Sequence, residues 1–190
     1  MKRVMASSLD RTARYFLSGC AVLCLAAIVA AAPSGTWLDV PFIAQPENGC
    51  GAASVAMVMQ YWDNDLHRAH SGRSDVETIQ RALYSKQVKG IFASELEKYL
   101  RHSAYRTFAI RGEWQDLQEN VKKGRPLIVS LAASGPHHPL HYVVVAGIDS
   151  DGGAVFLNDP AHQKLLRVAR ADFEKQWAAA GRWTLLALPN

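Results

Sequence analysis

The chain has 190 residues, of which 49% are hydrophobic and 20% charged, a balance that suits one globular domain and excludes a disordered or low-complexity protein. Its 21 basic and 17 acidic residues give a formal charge of +4, but Lys2, Arg3, Arg11 and Arg14, against the one acid Asp10, place that excess at the very start. The rest is nearly neutral, so the charge balance gives no support to a nucleic-acid partner.

No charged side chain occurs from Tyr15 to Leu38, and the centre of that stretch, Cys20 to Ala32, reads CAVLCLAAIVAAA. A basic start, an apolar centre and small residues at the end form a secretory signal pattern. Val29-Ala30-Ala31 fits a cleavage site before Ala32. The expectation is a signal peptide over 1–31 and a working domain over 32–190, in a periplasmic or extracellular protein. The uncharged stretch is also long enough to span a bilayer uncut, so a membrane anchor is the alternative. Leu17-Ser18-Gly19-Cys20 resembles a lipoprotein box but precedes the apolar run instead of ending it.

Cys20 and Cys24 fall in this segment, which leaves Cys50 alone in the body. The mature chain therefore has no internal disulfide. A lone thiol in an oxidising compartment is either buried and inert or chemically employed, and the count alone does not choose.

Trp37 to Ala44 reads as a short extended entry, and Pro46 to Gly49 as a turn. The run from Cys50 to about Trp62 is apolar nearly all round and predicts a buried central helix. Ser74 or Asp75 caps a second helix to about Ser85. Ser94-x-x-Glu97 matches a capping box that opens a third. Ala104 to Ile110 predicts a strand, and Glu113 to Lys123 an amphipathic helix closed by Gly124. Further strands follow at Pro126 to Ala132, His141 to Ile148, Ala154 to Asn158 and Lys164 to Val168. Asp172 caps a helix over Phe173 to Ala179, and Trp183 to Leu188 is the last strand. Helices dominate the first half and strands the second, an α+β arrangement with a helical side on an antiparallel sheet.

The sharpest chemical signal is Gln45-Pro46-Glu47-Asn48-Gly49-Cys50-Gly51. With Asn48 as N-cap, Cys50 stands in the first helical turn, where free N–H groups and the helix dipole favour thiolate, the attacking species. Gly51 would allow close approach of substrate. Gln45 and the Cys50 N–H are candidate donors to an oxyanion. His141, at the head of an apolar strand, is the candidate base, and Asp159 follows the next strand. A three-residue loop, Ser150-Asp151-Gly152, would set His141 opposite Ala161 and Asp159 opposite Val143, as diagonal neighbours on one face. A two-residue Asp151-Gly152 turn would put them on opposite faces, barring a bulge.

Gln and Cys-Gly at a helix start, a later His on an apolar strand, and Asp-Pro after a hairpin resemble the papain-like cysteine peptidases. More narrowly, Val40-Pro41-Phe42 through Trp62 and His141 through Pro160 resemble the bacterial peptidases of family C thirty-nine, which trim double-glycine leader peptides. The likeness covers about residues 37–188. It implies a papain-like fold with Cys50 as nucleophile, His141 as general base and acid, Asp159 orienting His141, and Gln45 in the oxyanion hole. It implies a peptide or protein substrate, and a secretion system as a partner. The expectation is a free-standing, exported member, touching the membrane only through an uncleaved N-terminal segment.

Other readings are weaker. His137, His138 and His141 with Asp159 could hold a metal, but no ligand spacing motif supports it, and no metal or organic cofactor is expected. Trp62, Trp114, Trp177 and Trp183 read as packing, and Lys122, Lys123 and Arg125 as a solvated helix end. Two functional alternatives keep the same fold: a non-catalytic peptide-binding or secretion-assisting domain, and an acyl transferase using the same Cys50.

Overall fold

The computed structural model describes residues 35–132, 140–149 and 151–190. The proposed signal segment, Cys20, Cys24, His137 and His138 lie outside these residues. In chain order the elements are β1 (Gly35–Trp37), α1 (Cys50–Asp65), α2 (Val76–Leu83), α3 (Ala93–His102), β2 (Tyr105–Arg111), α4 (Trp114–Lys122), β3 (Leu127–Ala132), β4 (Leu140–Asp149), β5 (Ala154–Asn158), β6 (Leu166–Ala169), α5 (Arg170–Ala179) and β7 (Trp183–Pro189).

The strands form one antiparallel sheet in the order β2-β7-β3-β4-β5-β6. β1 pairs with the far end of β4, Trp37 opposite Gly147, and so takes over the edge that β3 leaves after Val145. The fold is α+β, as the sequence predicts. One difference lies in its layers. β4 is buried from Tyr142 to Ile148 without alternation, so both faces of that strand are covered, and α1 and α4 are both packed on it.

α1 is the core helix because nine consecutive residues, Gly51 to Met59, are buried. Burial of each Val or Met side chain there contributes roughly 1.5–3 kcal/mol, which outweighs the modest helix propensity of the β-branched residues. The helix runs to Asp65, three residues past the expected end. The segment before it differs too. Asn48 is not the N-cap: it takes a left-handed φ of 55°, which Asn tolerates, and Gly49 is the cap. The Gly49 N–H donates to the Pro46 carbonyl at 2.9 Å. A side chain on Gly49 would lie 2.5 Å from Pro46 Cγ, so this turn needs glycine.

Local capping signals had mixed outcomes. Asp75 does cap α2, its Oδ1 accepting the Thr78 N–H at 2.8 Å. Ser94 and Glu97 form no capping box, because α3 starts two residues earlier with Phe92 at the cap and Ser94 already inside the helix. In α5 the cap is Ala169, and Asp172 sits within the first turn. Gly124 follows α4 at φ 72°, as a left-handed helix stop should. Trp177 and Trp114 are buried and Trp62 and Trp183 are packed against the core, the packing roles expected of them.

Neither hairpin register foreseen from the sequence holds along the whole of β4 and β5. Near the turn Ile148 pairs with Val155 and Gly147 with Phe156, and then the register slips by one residue at Ala146. Beyond the slip Val145 pairs with Leu157 and Val144 with Asn158, the register of the three-residue loop. The bulge coincides with the point where the Ala146 carbonyl accepts the Leu38 N–H at 2.7 Å from the entry strand.

Candidate active site

The helix start, the head of β4 and the end of β5 converge. Cys50 is the first residue of α1, so its N–H has no intrahelical acceptor. The His141 ring and the backbone N–H groups of Tyr142 and Gly51 act on its thiol, each favouring the charged form. His141 Nε2 lies 2.7 Å from Asp159 Oδ1, which leaves Nδ1 as the ring nitrogen for Cys50. Asp159 Oδ1 also accepts the Ala161 N–H at 2.9 Å, so the carboxylate is held by its own turn before it holds the imidazole.

The electrostatics follow from these contacts. Burial pushes the Cys50 thiol up, but the hydrogen bond and charge of His141, with the Tyr142 and Gly51 N–H groups, prevail and hold it below its ordinary value. Burial pulls His141 down, and the hydrogen bonds and charges of Asp159 and Cys50 prevail to carry it to about 9. Burial raises Asp159, but His141, the Ala161 N–H and the charge of His162 bring it below the usual carboxylate range. The three shifts agree in sense: each favours a thiolate, an imidazolium and a carboxylate in a row.

Gln45 lies beside Cys50 and His141 in a cleft of about 900 Å³. Its main-chain N–H donates to the Pro160 carbonyl at 2.9 Å, and its side-chain Oε1 is buried without a hydrogen-bond partner. The structure therefore brings together Cys50, His141, Asp159 and Gln45. Gly51 has a different role from the one foreseen. A side chain there would meet Leu96, Tyr142 and Ile91 at 3.2–3.4 Å, so the glycine lets α1 pack closely and does not face substrate.

Several features escaped sequence reasoning. The cleft has an apolar wall of Val88, Ile91, Phe92 and Leu140, of which Val88, Phe92 and Leu140 are exposed. The first three come from the link between α2 and α3, which Ser85 and Gly90 close by mutual backbone hydrogen bonds. Apolar residues in the link between two helices, where polar ones are usual, were the available signal. The Tyr142 N–H carries no sequence signal at all. Among the described residues no group of three His, Cys, Asp or Glu side chains could hold a metal ion, and no helix is long and apolar enough to cross a membrane.

A family model described as the Peptidase_C39 like family matches residues 37–185. Among solved structures, a protein described as a C39-like peptidase from Bacillus anthracis superposes with a TM-score of 0.61 at 21% identity, covering 83% of this chain and 98% of its own. A double glycine motif protease from an AMS/PCAT transporter, solved with a leader peptide, has a TM-score of 0.61 at 23% identity, covering 82% and 95%. The peptidase domain of Streptococcus ComA, a bi-functional ABC transporter of a quorum sensing pathway, has a TM-score of 0.58 at 19% identity, covering 80% and 99%. At these identities the likeness is one of fold. No curated protein sequence matches the chain.

Proposed function

The chain belongs to the Peptidase_C39 like family, and from that premise we propose that it hydrolyses peptide bonds through Cys50, His141 and Asp159. The observation that carries this reading is that His141, held by Asp159 at 2.7 Å, lines one cleft with Cys50 and favours its thiolate. A peptide lies along the apolar wall and presents its carbonyl carbon to the Cys50 sulfur. The thiolate adds to that carbon, and the oxyanion that forms is stabilised by the Gln45 amide and the Cys50 N–H. The His141 imidazolium gives its proton to the departing amine, which leaves a thioester on Cys50. Neutral His141 then takes a proton from water, the hydroxide adds to the thioester, and the acid product departs as the thiolate returns. Asp159 keeps the ring in the tautomer that both steps need.

The substrate is a peptide or protein with apolar side chains near the scissile bond, matching Val88, Phe92 and Leu140. The neighbours solved with a leader peptide or as part of a transporter support a secreted peptide as target and a secretion system as partner. The charge-free run after a basic start supports export, with the domain acting outside the cytoplasm.

Intact protein and Cys50→Ala are compared on a peptide library, with mass spectrometry of the products. Cleavage by the wild type alone supports the reading. Binding by both with cleavage by neither would establish a peptide-binding domain instead. Added hydroxylamine or amine traps the acyl group, and a product carrying the amine in place of water would identify acyl transfer.

A further inference from the structure

Three consecutive residues at the end of β5 each hold a different part of the site. Asp159 holds His141. The Pro160 carbonyl holds the main chain of Gln45. Asn158, with 0% exposure, holds the segment that leads to Gln45. Its Nδ2 donates to the carbonyls of Val40 at 3.0 Å and Pro41 at 3.4 Å, and its Oδ1 accepts the Leu165 N–H at 3.0 Å.

These contacts matter because Val40 to Gln45 lies outside the sheet. The Val40 N–H turns back to the Leu38 carbonyl at 2.8 Å, and Pro41 has no N–H to offer a ladder. Buried carbonyls need partners, and the Asn158 amide supplies one to each of two successive residues. On its other side it steadies Leu165, which sits at a left-handed φ of 53° that a residue with a branched side chain adopts only when held. Asn158 therefore ties the strap over 40–45 to the corner over 158–165. One end of the strap is fixed by Asn158 and the other by Pro160, with Asp159 between them.

We propose that Asn158 is a positioning residue for the oxyanion hole, fixing the 40–45 strap so that Gln45 keeps its place beside Cys50. The proposal rests on the peptidase reading, and specifically on Gln45 as an oxyanion donor. Asn158 touches neither substrate nor sulfur; it acts through Gln45. Its amide bonds Val40, Pro41 and Leu165, not Cys50, His141 or the Asp159 carboxylate.

A double-mutant cycle on the full chain tests this, with wild type, Asn158→Ala, Gln45→Ala and the double variant. Two readouts are used. A peptidyl aldehyde adds to the Cys50 thiolate to give a hemithioacetal whose oxygen occupies the oxyanion hole, so its affinity reports that hole without turnover. Iodoacetamide alkylation against pH reports the thiolate alone. Asn158→Ala should weaken aldehyde binding about tenfold or more while leaving the midpoint of the alkylation profile in place. In the Gln45→Ala background the further loss should shrink to about twofold or less, because residues that act as a unit are not additive. Asn158→Ser keeps one donor and one acceptor, should lose less, and carries the test if the alanine variant does not fold. Additive losses, or a moved alkylation midpoint, would overturn the assignment. A wild type that binds no aldehyde and alkylates as an ordinary thiol would overturn the peptidase reading itself, and this proposal with it.

Discussion

Asp159 Oδ1 meets His141 Nε2 at 2.7 Å, although the β4–β5 hairpin leaves its turn in the register that would set these side chains on opposite faces. Ile148 opposite Val155 is that register, and side chains alternate with period two. The one-residue slip at Ala146 reverses the parity before the strands reach the site. A β-bulge some five residues from the imidazole thus decides whether the base and its orienting carboxylate share a face.

That contact sets the first prediction. Asp159→Asn keeps the shape but removes the charge that, with Cys50, carries His141 to about 9. The imidazole pKa should fall back toward its ordinary value of about 6.5, and the pair of thiolate and imidazolium should be depleted at neutral pH. We expect kcat/KM to drop by about 10²–10⁴-fold, with slower iodoacetamide alkylation between pH 6 and 7. An unchanged alkylation profile would show that Asp159 does not support the thiolate.

The pH dependence has a definite sign on each limb. Thiolate forms as pH rises through the Cys50 pKa, which is held below its ordinary value. Peptide cleavage also needs imidazolium to protonate the leaving amine, and that proton is lost as pH rises through about 9. Plots of kcat/KM should therefore rise at low pH and fall above about pH 9. Alkylation needs no acid, so its rate should rise and stay high. A falling limb for cleavage near pH 6.5 would contradict the contacts made by His141.

Gln45 lines the same cleft as Cys50 but stands outside the row of ionised groups. Gln45→Ala should lower kcat by about 10²–10³-fold, the usual loss for one oxyanion donor, while alkylation of Cys50 by iodoacetamide proceeds at the wild-type rate. If kcat is unaffected, the Cys50 N–H and some other donor serve the oxyanion.

The close approach of β1 to β4 supplies a prediction about stability. A side chain on Gly147 would lie 2.7 Å from Trp37 Cβ and 3.0 Å from the Thr36 carbonyl, both parts of β1 that cannot move without unpairing. Gly147→Ala should cost about 1–3 kcal/mol, as overpacking does. At about 2–4 °C per kcal/mol for a chain of this size, thermal unfolding should come several degrees lower. Limited proteolysis should then cut within 35–38 sooner than in the wild type, and an unmoved transition would mean that β1 yields freely.

Much of the architecture was legible because it is encoded locally. The long, nearly apolar run after Cys50 exceeds the length of a strand and suits a buried helix, Asp75 can bond its own helix start, and Gly124 can take the left-handed stop. The Gln45–Gly51 segment with the lone body thiol at a helix start, the polar ring heading an apolar strand and Asp-Pro after a hairpin likewise marked the four residues that the structure gathers. Capping by Ser94 and Asp172 misled because a side chain that suits an N-cap is also tolerated inside the first turn, and tertiary packing chose the starts of α3 and α5. Asn48 misled for a related reason: its short amide suits a cap and a left-handed turn equally, and the crowding of Gly49 against Pro46 decided for the turn.

By itself the sequence determined which segments become helix or strand and which residue types could carry acyl chemistry, since both depend on neighbours a few positions away. Only the tertiary structure decided the slip at Ala146, the apolar wall brought from Val88 to Phe92, the packing use of Gly51 and the grip of Asn158 on Val40 and Pro41. Each of those is a contact between residues tens of positions apart, set by which surfaces bury together, and the spacing of residues along the chain holds no record of it.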